Sequence, residues 1–214
     1  DFLGQPHQFF LALQQAQAQA LLGVFHVPPN RFLFPLHLLE AQIAKGGHDG
    51  GQEEQHDQVE GRDAWGAPWG GPASVRCLAD HGKWLYADIH VGGIVRSGDG
   101  GETWAPIKTG IHQDVHQIAT HPSAPERLYA NTANGVFISE DRGDSWRHAV
   151  DGLATRYGRA IAVDHEDANV LLASVSLGPH QGEGRLYRST DAGASWRHVS
   201  RGFPPYIEGN IDTA

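Results

Sequence analysis

Setting Leu78, Ile118 and Ile161 level along the chain brings Arg76, His116 and Arg159 into one register, with Ser74, Asp114 and Tyr157 two positions earlier. His90 stands in the segment DIHVGG, and Asn210 and Asp212 stand in GNID near the end of the sequence. Two arginines in register are suited to an anion, because the guanidinium group offers planar, permanently charged donors to acidic oxygens. Tyr157 and Asp114 add a phenol and a carboxylate, the groups a glycosidase uses as nucleophile or acid/base. No acidic partner for Tyr157 stands out; Glu208 is the nearest substitute, in an irregular loop. The same side chains serve equally well as plain ligand contacts, and polar residues at strand starts are often only solvated or paired between neighbouring elements.

Metal chemistry is not indicated. His7, His26, His37, His48 and His56 fit no ligand spacing, the single Cys77 excludes an internal disulfide framework, and no Cys/His spacing resembles a structural zinc site. Asp164-His165-Glu166-Asp167 occupies the place of HPSAPER in the preceding repeat, so an exposed turn is expected there. No residue pattern requires a cofactor, and none is expected.

The elements that must position these residues repeat. Three octapeptides share the pattern S-x-D-x-G-x-x-W: SGDGGETW, SEDRGDSW and STDAGASW, spaced by 42 and 50 residues. Their fixed positions are Ser97, Asp99, Gly101 and Trp104; Ser139, Asp141, Gly143 and Trp146; and Ser189, Asp191, Gly193 and Trp196. Each aspartate is placed to accept backbone N–H groups in a tight turn. Each glycine supplies a positive φ, and each tryptophan an indole that fixes the register of the strand it begins. One carboxylate per turn is too few for a calcium loop, which gathers several oxygens.

Every octapeptide sits in the same setting of short apolar runs. GGIVRS, NGVFIS and EGRLYRS precede it; before them come WLYADIH, RLYANTA and VLLASVS, and earlier VRCLAD, VHQIATHP and RAIAVDHED. A fourth run begins at each tryptophan: WAPIKTGI, WRHAVDGL and WRHVSRGF. Four short strands per unit of this length predict an all-β, antiparallel partial β-propeller of about three blades plus a stub. The blades are expected over residues 72–112, 113–154 and 155–204, with the stub at 205–214. Cys77, on an innermost strand, is expected to be a buried small apolar residue.

The octapeptides resemble the Asp-box, or BNR, repeats of sialidase-like β-propellers, a group that includes glycosidases, sortilin-type receptors and photosystem II assembly-factor-like proteins. The resemblance covers about residues 72–214, and HVGG, DVH, YGRA and GNID are also similar to motifs of bacterial assembly-factor-like members. It implies a structural role for the octapeptides and a ligand site on the opposite face, near the channel axis. There the connections between second and third strands meet the links between blades. It thereby assigns Arg76, His90, His116, Arg159, Asn210 and Asp212 to ligand binding. Within the resemblance the expected role is a binding, assembly or scaffold propeller engaging a small ligand, glycan or protein. The alternative is a sialidase-like exo-glycosidase acting on an anionic sugar with Tyr157 or Asp114. The FRIP-type segment of true sialidases is absent, which weighs against the enzyme.

Composition sets the outer bounds. The chain has 214 residues, 27 glycines, 12 prolines, no methionine and a formal net charge of −9. Glycine well above the usual share of about 7% agrees with frequent turns. The acidic balance argues against a nucleic-acid footprint, which needs a clustered basic face, and no apolar run reaches the length of a membrane helix. Residues 1–70 hold 10 of the 13 glutamines and no octapeptide, so they are expected to form a separate helical or disordered segment, or else a degenerate blade. The missing methionine and the repeat broken off at its fourth unit suggest a piece of a longer propeller, whose open edges invite self-association. One cysteine and no recognisable signal point to the cytoplasm.

Overall fold

The computed structural model describes residues 59–66, 70–71 and 73–208. Within these, the expected strands form, and they assemble into three four-stranded antiparallel sheets with no α-helix. The first sheet is β1 (Val75–His81), β2 (Trp84–Ile89), β3 (Gly93–Ser97) and β4 (Ala105–Pro106). The second is β5 (Val115–Ala119), β6 (Leu128–Thr132), β7 (Gly135–Ser139) and β8 (Arg147–His148). The third is β9 (Tyr157–Val163), β10 (Leu171–Ser176), β11 (Arg185–Ser189) and β12 (Arg197–His198). Strand order follows chain order in each, the plain meander of a propeller blade. The chain is thus a partial β-propeller of three blades over its described residues.

Two layers of apolar side chains hold the blades face to face. Between the first and second lie Tyr86, Ile94, Val115, Ile118, Leu128 and Ala130; between the second and third lie Tyr129, Val136, Ile138, Ile161, Leu171 and Ala173. Because the middle blade is covered on both sides, every residue of β6 and β7 is buried. The third blade shows the contrast. Tyr129 of the second blade is 0% exposed, whereas Leu172, at the same register of the third, is 39% exposed. The innermost strand β5 touches β1 on one side and β9 on the other, so the starts of these strands converge toward one axis.

The free face of the first blade is covered from the N-terminal side. Ala87, Ile89 and Val95 pack with Val59, Trp65 and Ala73, and with Trp104 of the first octapeptide. Trp65 follows a single 3-10 turn (Arg62–Ala64), and Glu60 pairs with Lys108 at 2.6 Å. Residues ahead of the expected boundary at 70 therefore contribute to the blade's packing, while 1–58 lie outside the described residues.

Each octapeptide closes the turn between the third and fourth strands of its blade with one set of bonds. Ser139 Oγ donates to Asp141 Oδ1 (2.7 Å) and accepts the Gly143 N–H (2.7 Å); Asp141 Oδ1 accepts the Ser145 N–H (2.8 Å) and Oδ2 the Ser145 hydroxyl (2.6 Å). Ser97, Asp99, Gly101 and Thr103 repeat the pattern, as do Ser189, Asp191, Gly193 and Ser195. Gly101, Gly143 and Gly193 have φ of 97°, 94° and 73°, the left-handed region expected of them. The seventh position adds a hydroxyl that the four-residue pattern omits, Thr103, Ser145 or Ser195, and it recurs in all three copies. Trp104 and Trp146 return their indole N–H to Gly101 O and Gly143 O. Trp196 instead reaches Ala149 O in the neighbouring blade and is the one of the three that is buried.

Candidate functional site

At the end of the blades opposite the octapeptide turns, the starts of β1, β5 and β9 bring together most of the residues the sequence aligns. Arg76 Nη1 lies 3.4 Å from Asp114 Oδ1 and 3.3 Å from the Val115 carbonyl, linking the first blade to the second. His116 Nε2 lies 3.2 Å from the same Asp114 oxygen. Its Nδ1 faces the Gly158 carbonyl, across the next blade boundary. The two ring nitrogens of His116 thus lie beside acceptors of two different blades. Its ring meets Tyr157 edge-on at 5.1 Å, and the Tyr157 hydroxyl accepts from Arg159 Nη2 at 2.9 Å. His90 joins from the connection between β2 and β3, where its N–H donates to Ser74 O (2.8 Å). The Gly93 N–H at the end of that connection donates to Gln113 O (2.9 Å), tying it to the link that leads into β5.

One chain of contacts therefore runs Arg76–Asp114–His116–Tyr157–Arg159 across three blades. Its side chains come from strands set by cross-blade apolar packing, so its geometry depends on the blades being in register. Asn210 and Asp212 lie outside the described residues. Glu208 is exposed, and the Tyr157 hydroxyl is engaged by Arg159 instead.

Electrostatics divide the cluster. Burial pushes the Asp114 carboxyl up, but His116 and Arg76 outweigh it and hold the group below its ordinary value, so it is an anion. Burial lowers Arg159, with Arg76 nearby adding repulsion, although an arginine so perturbed remains a cation. Burial and then Arg76 lower the His90 imidazole. Among the described residues, this end of the blades thus brings together two guanidinium ions and one ionised carboxylate.

A second carboxyl lies just beneath, outside the residues singled out from the sequence. Asp88 on β2 is 0% exposed, and neither of its oxygens has a hydrogen-bond partner among the described residues. Burial raises its carboxyl well above the ordinary value; Arg76 opposes this and Asp114 adds to it. Cys77, its cross-strand partner, is half-buried rather than buried, and its thiol donates to Ile118 O at 3.5 Å.

Asp164 accepts the Glu166 N–H in the turn between β9 and β10, with His165 and Glu166 exposed, and among the described residues no group of His, Cys, Asp and Glu could hold a metal ion. Among the described residues no helix is long and apolar enough to cross a membrane. The connection between β10 and β11 (residues 177–184) is much longer than its counterparts. It presents the exposed Leu177 beside Ser176, which pairs with Tyr157.

Comparison with known proteins agrees with this architecture. The family Sortilin-Vps10 (Sortilin, neurotensin receptor 3) matches residues 92–206, just over half of the chain. A xyloglucanase of Hypocrea jecorina is 34% identical over 108 residues, covering 50% of this chain and 12% of that protein. A xyloglucanase of Acetivibrio thermocellus is 29% identical over 138 residues, covering 54% of this chain and 16% of its own length. The chain therefore spans only a small part of these relatives. Among solved structures, an ancestral GH74 enzyme superposes with a TM-score of 0.54 at 20% identity, over 64% of this chain and 19% of that one. That likeness speaks to the fold.

Proposed function

The chain belongs to the Sortilin-Vps10 family, and on that premise we propose that its blades are part of a binding propeller whose channel mouth takes an anionic ligand. The observation that carries this reading is the meeting of two guanidinium groups, Arg76 of the first blade and Arg159 of the third, at one end of the blades. In the same chain of contacts the ionised Asp114 contacts both Arg76 and His116. Repulsion between Arg76 and Arg159 is part of what lowers Arg159, and an anion seated between them would relieve it. Arg159 donates to the Tyr157 hydroxyl, which orients the guanidinium. The octapeptide turns, read as Asp-box repeats, build the scaffold on the other face and touch no ligand.

The experiment is a calorimetric titration of the full chain with a carboxylated oligosaccharide, here an oligogalacturonate, compared with the Arg159→Ala variant. Binding to the parent and its loss in the variant support the reading. Equal binding by both would overturn it.

A second reading is glycoside hydrolysis, favoured by the two xyloglucanase relatives. In it Asp114 or Tyr157 would act on the glycosidic bond at the same mouth. Two carboxyl groups flanking the bond are the usual requirement. Here Asp88 is fully buried, and among the described residues no acid bonds to Tyr157, so binding is the better supported function. Release of reducing sugar from xyloglucan that is lost in Asp114→Asn would reverse that order.

A further inference from the structure

Asp88, Asn131 and Ser174 occupy one place in their blades. Asp88 on β2 pairs with Cys77 and Ile94, Asn131 on β6 with Gln117 and Val136, and Ser174 on β10 with Leu186. At the second blade boundary the use of this place is plain. Asn131 Nδ2 donates to Ala160 O (2.8 Å) and Ser174 O (3.0 Å), so its amide clamps two backbone carbonyls of the third blade. Gln117, its cross-strand neighbour, accepts the Ile161 N–H at 2.8 Å. At the first boundary Cys77 takes the place of Gln117 and reaches Ile118 O. Asp88 takes the place of Asn131.

A carboxylate has no proton to give, whereas the carbonyls it would meet by analogy can only accept. Asp88 is 0% exposed, with both oxygens unpartnered among the described residues. An ionised, unpaired carboxylate in such a place is strongly disfavoured, while a protonated one supplies the donor that Asn131 supplies next door. The charged and titratable groups around it can be named strand by strand. On β1 they are Arg76 and the Cys77 thiol, and its pairing partner on β3, Ile94, is apolar. The β5 side brings Asp114 and, bound to it, His116. Arg76 would stabilise the anion, but it is shared with Asp114, whose own charge opposes ionisation of Asp88.

We propose that Asp88 is a neutral carboxylic acid that latches the first blade to the second, and that its ionisation at raised pH loosens this junction directly beneath the channel mouth. A group held protonated by the fold contributes its full stability at low pH and loses it as pH rises through its folded-state value. The latch is therefore closed in acid and weakened in base.

The test is thermal unfolding of the full chain, followed by circular dichroism from pH 4 to pH 9, for the parent, Asp88→Asn and Asn131→Asp. The parent should lose melting temperature relative to Asp88→Asn as pH rises. The two should match near pH 4 and separate by about 4 °C or more at pH 9. Asn131→Asp should acquire a second fall of the same sign. Parallel profiles for parent and Asp88→Asn would overturn the proposal. Should Asp88→Asn fail to fold, the carboxyl carbon resonance of Asp88 in the parent decides. Titration in the ordinary aspartate range overturns the latch, and a protonated signal persisting to neutral pH supports it.

Discussion

Gly158 and Asn131 leave each other no spare room: a Cβ placed on Gly158 would stand 1.7 Å from Asn131 Oδ1. That contact ties the packing of the blades to the candidate site. The Asn131 amide holds the second blade to the third, and the Gly158 carbonyl receives His116.

Gly158→Ala should therefore destabilise the chain. Where the backbone is compatible, replacing glycine by alanine usually stabilises by about 0.4–1 kcal/mol through the unfolded state. Here the added methyl must displace an amide that bridges blades, and the overpacking cost of about 1–3 kcal/mol outweighs that gain. Denaturant unfolding should show a lower midpoint with an unchanged slope.

Ser139→Ala tests the octapeptide turn without touching its aspartate. Ser139 is 1% exposed, and its hydroxyl is the partner of both the Gly143 N–H and Asp141. Removing it strands a buried donor, which costs about 2 kcal/mol. Because the same bonds recur at Ser97 and Ser189, each of the three substitutions should lower the melting temperature. A neutral result at Ser139 would mean that the turn is held by something else.

Acid should act on these turns in the opposite sense to its action on Asp88. Hydrogen bonds from Thr103, Ser145 and Ser195 hold Asp99, Asp141 and Asp191 below the ordinary carboxylate range, Asp191 at about 2. A depressed folded-state value means stability that is present above about pH 4 and lost as pH falls toward the folded value. Melting temperature should therefore fall between about pH 4 and pH 2. The fall should be less steep in a triple variant carrying Asn at all three positions.

Much of this was legible in the sequence. The octapeptide, its glycine conformation and the strand runs around it follow from local chemistry repeated three times, and repetition turns a weak local signal into a firm register. The same alignment placed Arg76, His116 and Arg159 together with Asp114 and Tyr157, and the structure links these five through direct contacts. The rest depends on neighbours. Asp88 in WLYADIH reads as an ordinary polar residue of an alternating strand, and only the second blade, closing over it, makes it a buried acid. Cys77 reads as core yet is half-buried. Trp65 lies in a compositionally different region and still packs against the first blade, because it is the open face of that blade, not the repeat, that calls for cover.

The channel mouth should discriminate by charge, and substitutions there should affect binding more than folding. Arg159→Ala removes a charged donor whose hydrogen bond to an anion is worth about 1.5–3 kcal/mol, so affinity for an acidic ligand should fall by about ten-fold or more. Arg76→Ala should weaken binding too, and it also deprives Asp114 of its guanidinium partner, leaving more of that negative charge to repel the ligand. Both losses should shrink as salt is added, since the site is partly open to solvent.

The most direct test of an anion-binding channel mouth is a nuclear magnetic resonance titration of the arginine side-chain N–H signals of the full chain. The additions are citrate and oligogalacturonate as acidic probes, and a xyloglucan oligosaccharide as the neutral control. The Arg76 and Arg159 signals should move together and saturate with the acidic probes, and stay in place with the neutral one. Signals that respond equally to the neutral oligosaccharide, or that ignore both acidic probes while resonances elsewhere shift, would contradict an anion site between these two arginines.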